Sequence, residues 1–165
     1  MTLDKGGGRM NRLEVVRSQA DSALTAVRDD EERRCAVVHL YGVSQGCALL
    51  ALRRGENAEL AAVAGMLHDL SAYTTGIRAD HAAHGAILAA QLLRDTALFT
   101  EKEITCICEA IAHHSDKTDT HASFDEVLKD ADVLQHALYA PCAAVTEKER
   151  ARFDRIMREL GVRLG

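Results

Sequence analysis

The sequence predicts an all-α protein, a compact bundle of about six to seven helices. Three observations predict it. Apolar residues recur at three- and four-residue spacing along most of the chain, the period of an amphipathic helix. Three Ser/Thr-x-x-Glu segments begin at Thr100, Ser123 and Thr146, each the pattern of a capping box that opens a helix. Alanine is abundant and Pro141 is the one proline, which favours helix because Ala is the best helix former and Pro the worst. Convincing strand alternation is nowhere present. At 165 residues and 47% hydrophobic, the chain fits one domain with a real core. With 4% aromatics and no Trp, that core must be Leu, Val, Ile and Ala.

Residues 1–10, with Gly6-Gly7-Gly8, read as a flexible N-terminal tail, and 11–165 as a single helical domain. A phosphate loop would need a following Gly-Lys-Ser/Thr, which is absent. Leu13, Val16, Ala20, Leu24 and Val27 place a first helix over Asn11 to Val27. Asp29 or Asp30 can cap a second. It runs to about Arg53 through Val37, Leu40, Val43, Cys47 and Leu50, with His39 near that stripe and Gly55 as the stop. Gly42 and Gly46 inside it allow close helix approach. A third helix spans about Asn57 to Leu70 and ends by presenting His68 and Asp69. Ser71 to Gly76 reads as loop at the mouth of a site. A fourth helix runs from about Ala79 to Leu93, with Asp80 as its cap. Thr100 opens a fifth, through Ile104, Ile107 and Ile111 to His113 and His114. Ser115 to Ala122 is a polar loop. Ser123 opens a sixth helix, which ends at Tyr139-Ala140-Pro141. Thr146 opens the last, closed by Gly161.

A net charge of -5 argues against a non-specific nucleic-acid binder, which needs a basic footprint. It leaves room for a small phosphorylated ligand. No apolar run is read as reaching transmembrane length, and the start has no signal-peptide core. The odd count of cysteines, at 35, 47, 106, 108 and 142, argues against a secreted disulfide framework. They are expected buried and reduced, in a cytoplasmic protein.

Histidines dominate the chemistry. The candidates are His39, His68, Asp69, His81, His84, His113, His114, Asp130 and Asp132, and with His136 beside them they take in seven of the eight histidines. Imidazole with carboxylate suits Fe, Mn and Zn better than Mg. His68-Asp69 closes an otherwise apolar run from Ala61 to Leu67, where an ionisable pair is costly unless paired or metal-bound. Alone, such a pair is a core histidine beside a capping aspartate.

The ordered set His39, then Gly65-Met66-Leu67-His68-Asp69-Leu70, then Asp132 within Leu128 to Leu134 resembles the HD superfamily of metal-dependent phosphohydrolases. The resemblance covers about Cys35 to Tyr139. It implies an HD-domain-like fold and a metal set of His39, His68, Asp69 and Asp132. His81-x-x-x-Gly85-Ala86 and Ala110-Ile111-Ala112-His113-His114-Ser115 resemble further histidine segments of binuclear members. They add His81 and His114, with His84 and His113 as alternates, and Asp69 as bridge. Two divalent or trivalent ions are then expected, Fe or Mn favoured, with Zn, Mg, Co or Ni also compatible. Asp130 is read as a supporting or substrate-contacting residue, His136 as a supporting one, and Tyr73 and Asp116 as substrate contacts.

The implied reaction is hydrolysis of a phosphate ester or phosphoanhydride by a metal-activated water, in a small nucleotide or dinucleotide. Asp69 is ligand and candidate proton acceptor. Arg78 and Lys117, in the loops expected to rim the cavity, would offset phosphate charge; the competing assignment is ordinary solvated charge. The chain lacks the Gly-Tyr-Pro extension of cyclic-dinucleotide-cleaving members. Its His81 and His114 segments resemble those of symmetrical dinucleoside tetraphosphate hydrolases. The expected partner is a small phosphorylated ligand, with no nucleic acid and no membrane, and a homodimer is compatible. The opposed reading is a non-catalytic, metal-stabilised helical module for binding or regulation.

Overall fold

Eight helices make up the described residues of the computed structural model, which are 11–139, 141 and 144–163. The expected tail at 1–10, and Cys142, lie outside them. The helices are α1 (Arg12–Leu24), α2 (Asp30–Arg54), α3 (Ala58–Leu67), α4 (Leu70–Thr75), α5 (His81–Thr96), α6 (Glu101–His113), α7 (Ser123–Tyr139) and α8 (Glu147–Glu159). No strand occurs among the described residues.

Local chemistry sets most boundaries. Asn11, Asp29 and Asn57 each accept a bond from the backbone N–H three residues on, which caps α1, α2 and α3. Gly55 ends α2 in the left-handed conformation at φ 75°. The capping box at Thr100 is closed in both directions. The other two boxes are not. Ser123 Oγ donates to Glu56 Oε1 instead, and Thr146 meets only the Glu149 side chain. Asp80 does not cap α5 either. Its backbone is left-handed (φ 49°), not the extended form from which a side chain reaches the first-turn amides.

The core forms where α3 is enclosed. Every residue from Leu60 to Leu67 is buried, with α2, α6, α7 and α1 packed around it. A Cβ on Gly65 would lie 2.8 Å from Ser44 Cα of α2, so only glycine permits this approach. Helix α2 has the length and apolar composition of a membrane span, contrary to the expectation that no segment does. It is a core helix: His39, Leu40, Val43, Ser44, Cys47 and Leu50 are all buried in the bundle. Two further expectations change. Ser71 to Gly76 is mostly helix α4, because the chain re-enters helix at Leu70. Of the described cysteines, all free, only Cys47 is buried; Cys35, Cys106 and Cys108 are partly exposed.

Candidate metal centre

The helix break between α3 and α4 builds the centre. His68 keeps helical dihedrals, whereas Asp69 turns to φ -110°, ψ 4°, between the helical and extended regions. Adjacent helical side chains diverge, but this turn brings His68 Nε2 within 3.6 Å of Asp69 Oδ2. His39 from α2 adds Nε2, 3.1 Å from His68 Nε2 and 3.6 Å from Asp69 Oδ2. Asp132 from α7 places Oδ1 at 3.5 Å from His39 Nε2 and 3.8 Å from His68 Nε2. The other oxygen of Asp69, Oδ1, faces a second pair: His81 Nε2 of α5 at 3.6 Å and His114 Nε2 after α6 at 3.3 Å.

Each imidazole is fixed from behind. Nδ1 of His68 donates to Gly65 O (2.8 Å), that of His81 to Arg78 O (3.1 Å), and that of His114 to Ile111 O (2.7 Å). His39 Nδ1 donates to Gln135 Oε1 (2.7 Å). A carbonyl oxygen can only accept, so the proton stays on Nδ1 and each Nε2 offers a lone pair inward. Two such lone pairs facing at 3.1 Å need a positive centre between them. Asp69 Oδ1 and Asp132 Oδ1 are buried without a hydrogen-bond partner, which is costly unless a cation satisfies them. The donor set therefore fits metal ions: His39, His68 and Asp69 as one group, Asp69, His81 and His114 as another, and Asp132 beside the first.

Burial opposes ionisation of Asp69, but interaction with His68 and then hydrogen bonding with His114 and His39 outweigh it and hold the carboxyl far below its ordinary range. Asp132 is held low against burial by Lys117, His68, His136 and His39. Burial drives His68 down to about 4. Burial also opposes charging of His39, yet Asp69 and Asp132 raise it above its ordinary value.

The remaining candidates divide. Lys117 is not a rim charge; its side chain is largely covered, with Nζ 2.6 Å from Asp132 Oδ2. His136 lies 3.5 Å from Asp132 Oδ1 and stacks on the His39 ring. Tyr73 lines the mouth, its hydroxyl pushed up to about 12 by burial and then by Asp69. Arg78 is exposed and lies over the Tyr73 ring at 5.2 Å. His84 is exposed and joins neither metal-ligand group. His113 turns away to Asp125 (2.7 Å) and stacks on His121. Asp130 neither supports the centre nor faces a substrate: it is buried against Arg54, Arg152 and Arg155, at 2.6 to 2.8 Å. Asp116 joins neither metal-ligand group. Its Oδ1 accepts from Thr118 and Asp119 within its own loop, bonds that hold the carboxyl down to about 2.

Sequence reasoning missed Gln135, although its place three residues after Asp132 puts it on the same side of α7. Lys129 is close to Asp132 in sequence, but one helix position does not tell its direction. That lysine is fully buried, and its Nζ reaches Asp119 O, His121 Nδ1 and Glu126 Oε1. It anchors the loop that delivers Lys117 to Asp132.

A family model described as HD domain matches residues 37–137, more than half of the chain. Among solved structures, the chain is similar to a predicted HD superfamily hydrolase from an uncultured Thermotogales bacterium, determined at 1.45 Å. The two share 21% identity and a TM-score of 0.56, over 93% of this chain and 87% of that one. This likeness carries the helical fold. No curated protein matches. The chain belongs to the HD family of metal-dependent phosphohydrolases.

Proposed function

We propose that the protein hydrolyses a phosphate ester or phosphoanhydride bond in a small nucleotide or dinucleotide. The observation that carries this reading is Asp69, whose two oxygens face two separate histidine pairs. His39, His68, Asp69 and Asp132 would hold one ion; Asp69, His81 and His114 would hold a second, with Fe or Mn the first candidates. Such ions, when bound, polarise a phosphoryl oxygen and lower the pKa of water toward neutrality. The chain's own residues fix the geometry. The Nδ1 bonds set each ring, and Lys117 holds one Asp132 oxygen while the other faces the histidines. The mouth, about 180 Å³, is lined by Cys35, His39, Tyr73, Gln135, His136 and Tyr139. Arg78 on the Tyr73 ring brings positive charge to its edge. The free thiols support a cytoplasmic setting.

The test is metal content per chain after anaerobic purification, with Fe, Mn and Zn distinguished. Phosphate release is then followed over mononucleotides, dinucleoside polyphosphates and simple esters. Two metals and turnover abolished by His68→Ala are expected. No metal after reconstitution, or tight metal with no hydrolysis, overturns the reading.

A further inference from the structure

His136 follows Asp132 by one turn of α7 and reaches the mouth, with half of its side chain exposed. Its Nε2 lies 3.5 Å from Asp132 Oδ1, and its Nδ1 lies 3.4 Å from Glu149 Oε1 of α8. Glu149 is itself held, because Thr146 Oγ donates to its other oxygen (2.8 Å). The centre of the His136 ring is 5.1 Å from that of His39, close to the 5.0 Å between His39 and His68 and between His81 and His114. His39, Asp132 and His136 each offer one ligand atom, and the three atoms lie within 4.8 Å of one another.

The proton positions decide what this cluster can hold. A carboxylate accepts, so Nδ1 of His136 carries the proton and Nε2 presents a lone pair toward Asp132 Oδ1. That oxygen is buried and receives no hydrogen bond. A doubly protonated His136 strung between Glu149 and Asp132 would have supplied one. Lone pair and anion therefore face each other, as they do at His39, His68 and Asp69, and a cation between them satisfies both. His39 has one nitrogen to offer that cation. Its Nδ1 is engaged by Gln135, and its Nε2 already faces His68 and Asp69. The ion within reach of His136 is thus the first ion and not a separate one.

We infer that His136 is a further protein ligand of the ion assigned to His39, His68, Asp69 and Asp132. This rests on the metal-centre reading above. Helix α7 then supplies two ligands four residues apart on one face. His39, His68 and Asp132 are buried, so His136 is the donor of this set that stands at the mouth. Glu149 brings α8 into the centre by fixing the ring. Three imidazoles and two carboxylates exceed the four ligands of a structural zinc site and suit Fe or Mn.

The test loads the metal-free full chain with cobalt(II) and reads binding rather than turnover. Ring protons of a histidine bound to cobalt(II) are displaced far outside the ordinary proton NMR range, so each histidine ligand gives its own shifted set. His136 is expected among them, and His136→Ala should remove that set. In competition with a chelator, His136→Ala should weaken one ion by about 100-fold or more, at or beyond the upper end of what loss of a supporting partner costs. Circular dichroism reports the fold of each variant. His136→Gln separates a ligand from a prop. Its amide can donate to Asp132 but supplies no imidazole, so it should bind cobalt as weakly as the alanine variant. No shifted set lost in His136→Ala, or wild-type affinity in His136→Gln, overturns the inference and leaves the hydrolase reading standing. A third cobalt per chain that disappears with His136 would give this residue an ion of its own and overturns it as well. Absence of any bound cobalt removes the metal centre and both readings with it.

Discussion

Replacing Gly85 with alanine should cost the ion proposed at Asp69, His81 and His114 before it costs the fold. A Cβ there would lie 2.6 Å from His68 O and 3.2 Å from Ile111 Cγ2. Reaching ordinary contact at 3.4 Å requires a retreat of 0.8 Å from a backbone oxygen that cannot rotate aside. His68 follows the run Leu60 to Leu67, every residue of which is buried, so α5 is the element that yields. His81 lies one helical turn before Gly85 and moves with it, away from Asp69 Oδ1, now 3.6 Å away. Pressure on Ile111 also disturbs the carbonyl that orients His114. Overpacking of this kind costs about 1–3 kcal/mol, which lowers the melting temperature by roughly 2–12 °C in a domain of this size. Metal analysis should fall from two ions per chain toward one, while circular dichroism stays helical. His84→Ala, at an exposed position on the same helix, should keep both ions. A Gly85→Ala protein with unchanged metal content and unchanged melting would refute the reasoning.

Asp69→Asn should lose both ions by metal analysis, because one carboxylate serves both histidine pairs, whereas His114→Ala should lose only one. Gln135→Leu frees the His39 ring and should weaken metal affinity about 10- to 100-fold in competition with a chelator, with little change in melting. Asp130→Asn leaves Arg54, Arg152 and Arg155 without their buried anion and should destabilise by about 3–5 kcal/mol in urea unfolding at unaltered metal content. Glu126 titrates at about 2 in the folded protein: burial opposes its charge, but the bonds from Arg152, the His121 N–H and Lys129 outweigh it. A depressed folded pKa gives stability that is full above the unfolded value, near 4.3, and is lost as pH falls toward 2. The urea midpoint of the native protein should therefore drop more steeply over that window than that of Glu126→Gln.

Much of the helical layout was legible because it rests on local chemistry. Asp29, Gly55 and Thr100 act through atoms within a few residues of themselves. The order His39, His68-Asp69, His81, His114, Asp132 was legible as a pattern, and the structure brings those residues together. What failed required three-dimensional partners. Asp130 sits two residues from Asp132 and has the same chemistry, yet a half-turn of helix aims it at three arginines on α2 and α8. Lys117 reads as loop charge until Asp132 is seen beside it. The capping pattern at Ser123 is the same in sequence as that at Thr100, but Glu126 is claimed by Arg152 and Lys129, so the box cannot close.

The break at His68-Asp69 explains why the centre lies where helices end. The last carbonyls of a helix have no intrahelical donor. Gly65 O and Ile111 O belong to the final turns of α3 and α6, and each accepts from an imidazole three residues on. Arg78 O does the same from the turn before α5. One bond to the backbone thus fixes the ring's tautomer without a second side chain, and Ile111 O takes it in addition to the His114 N–H. His39 lies in the middle of α2, where the carbonyl ladder is already full, so its Nδ1 must find a side chain, and Gln135 is that side chain. Orientation of three ligands is consequently a property of the backbone, resistant to single substitutions. Orientation of the fourth hangs on one amide, which makes position 135 the place outside the ligands themselves where a substitution reaches the centre and spares the fold.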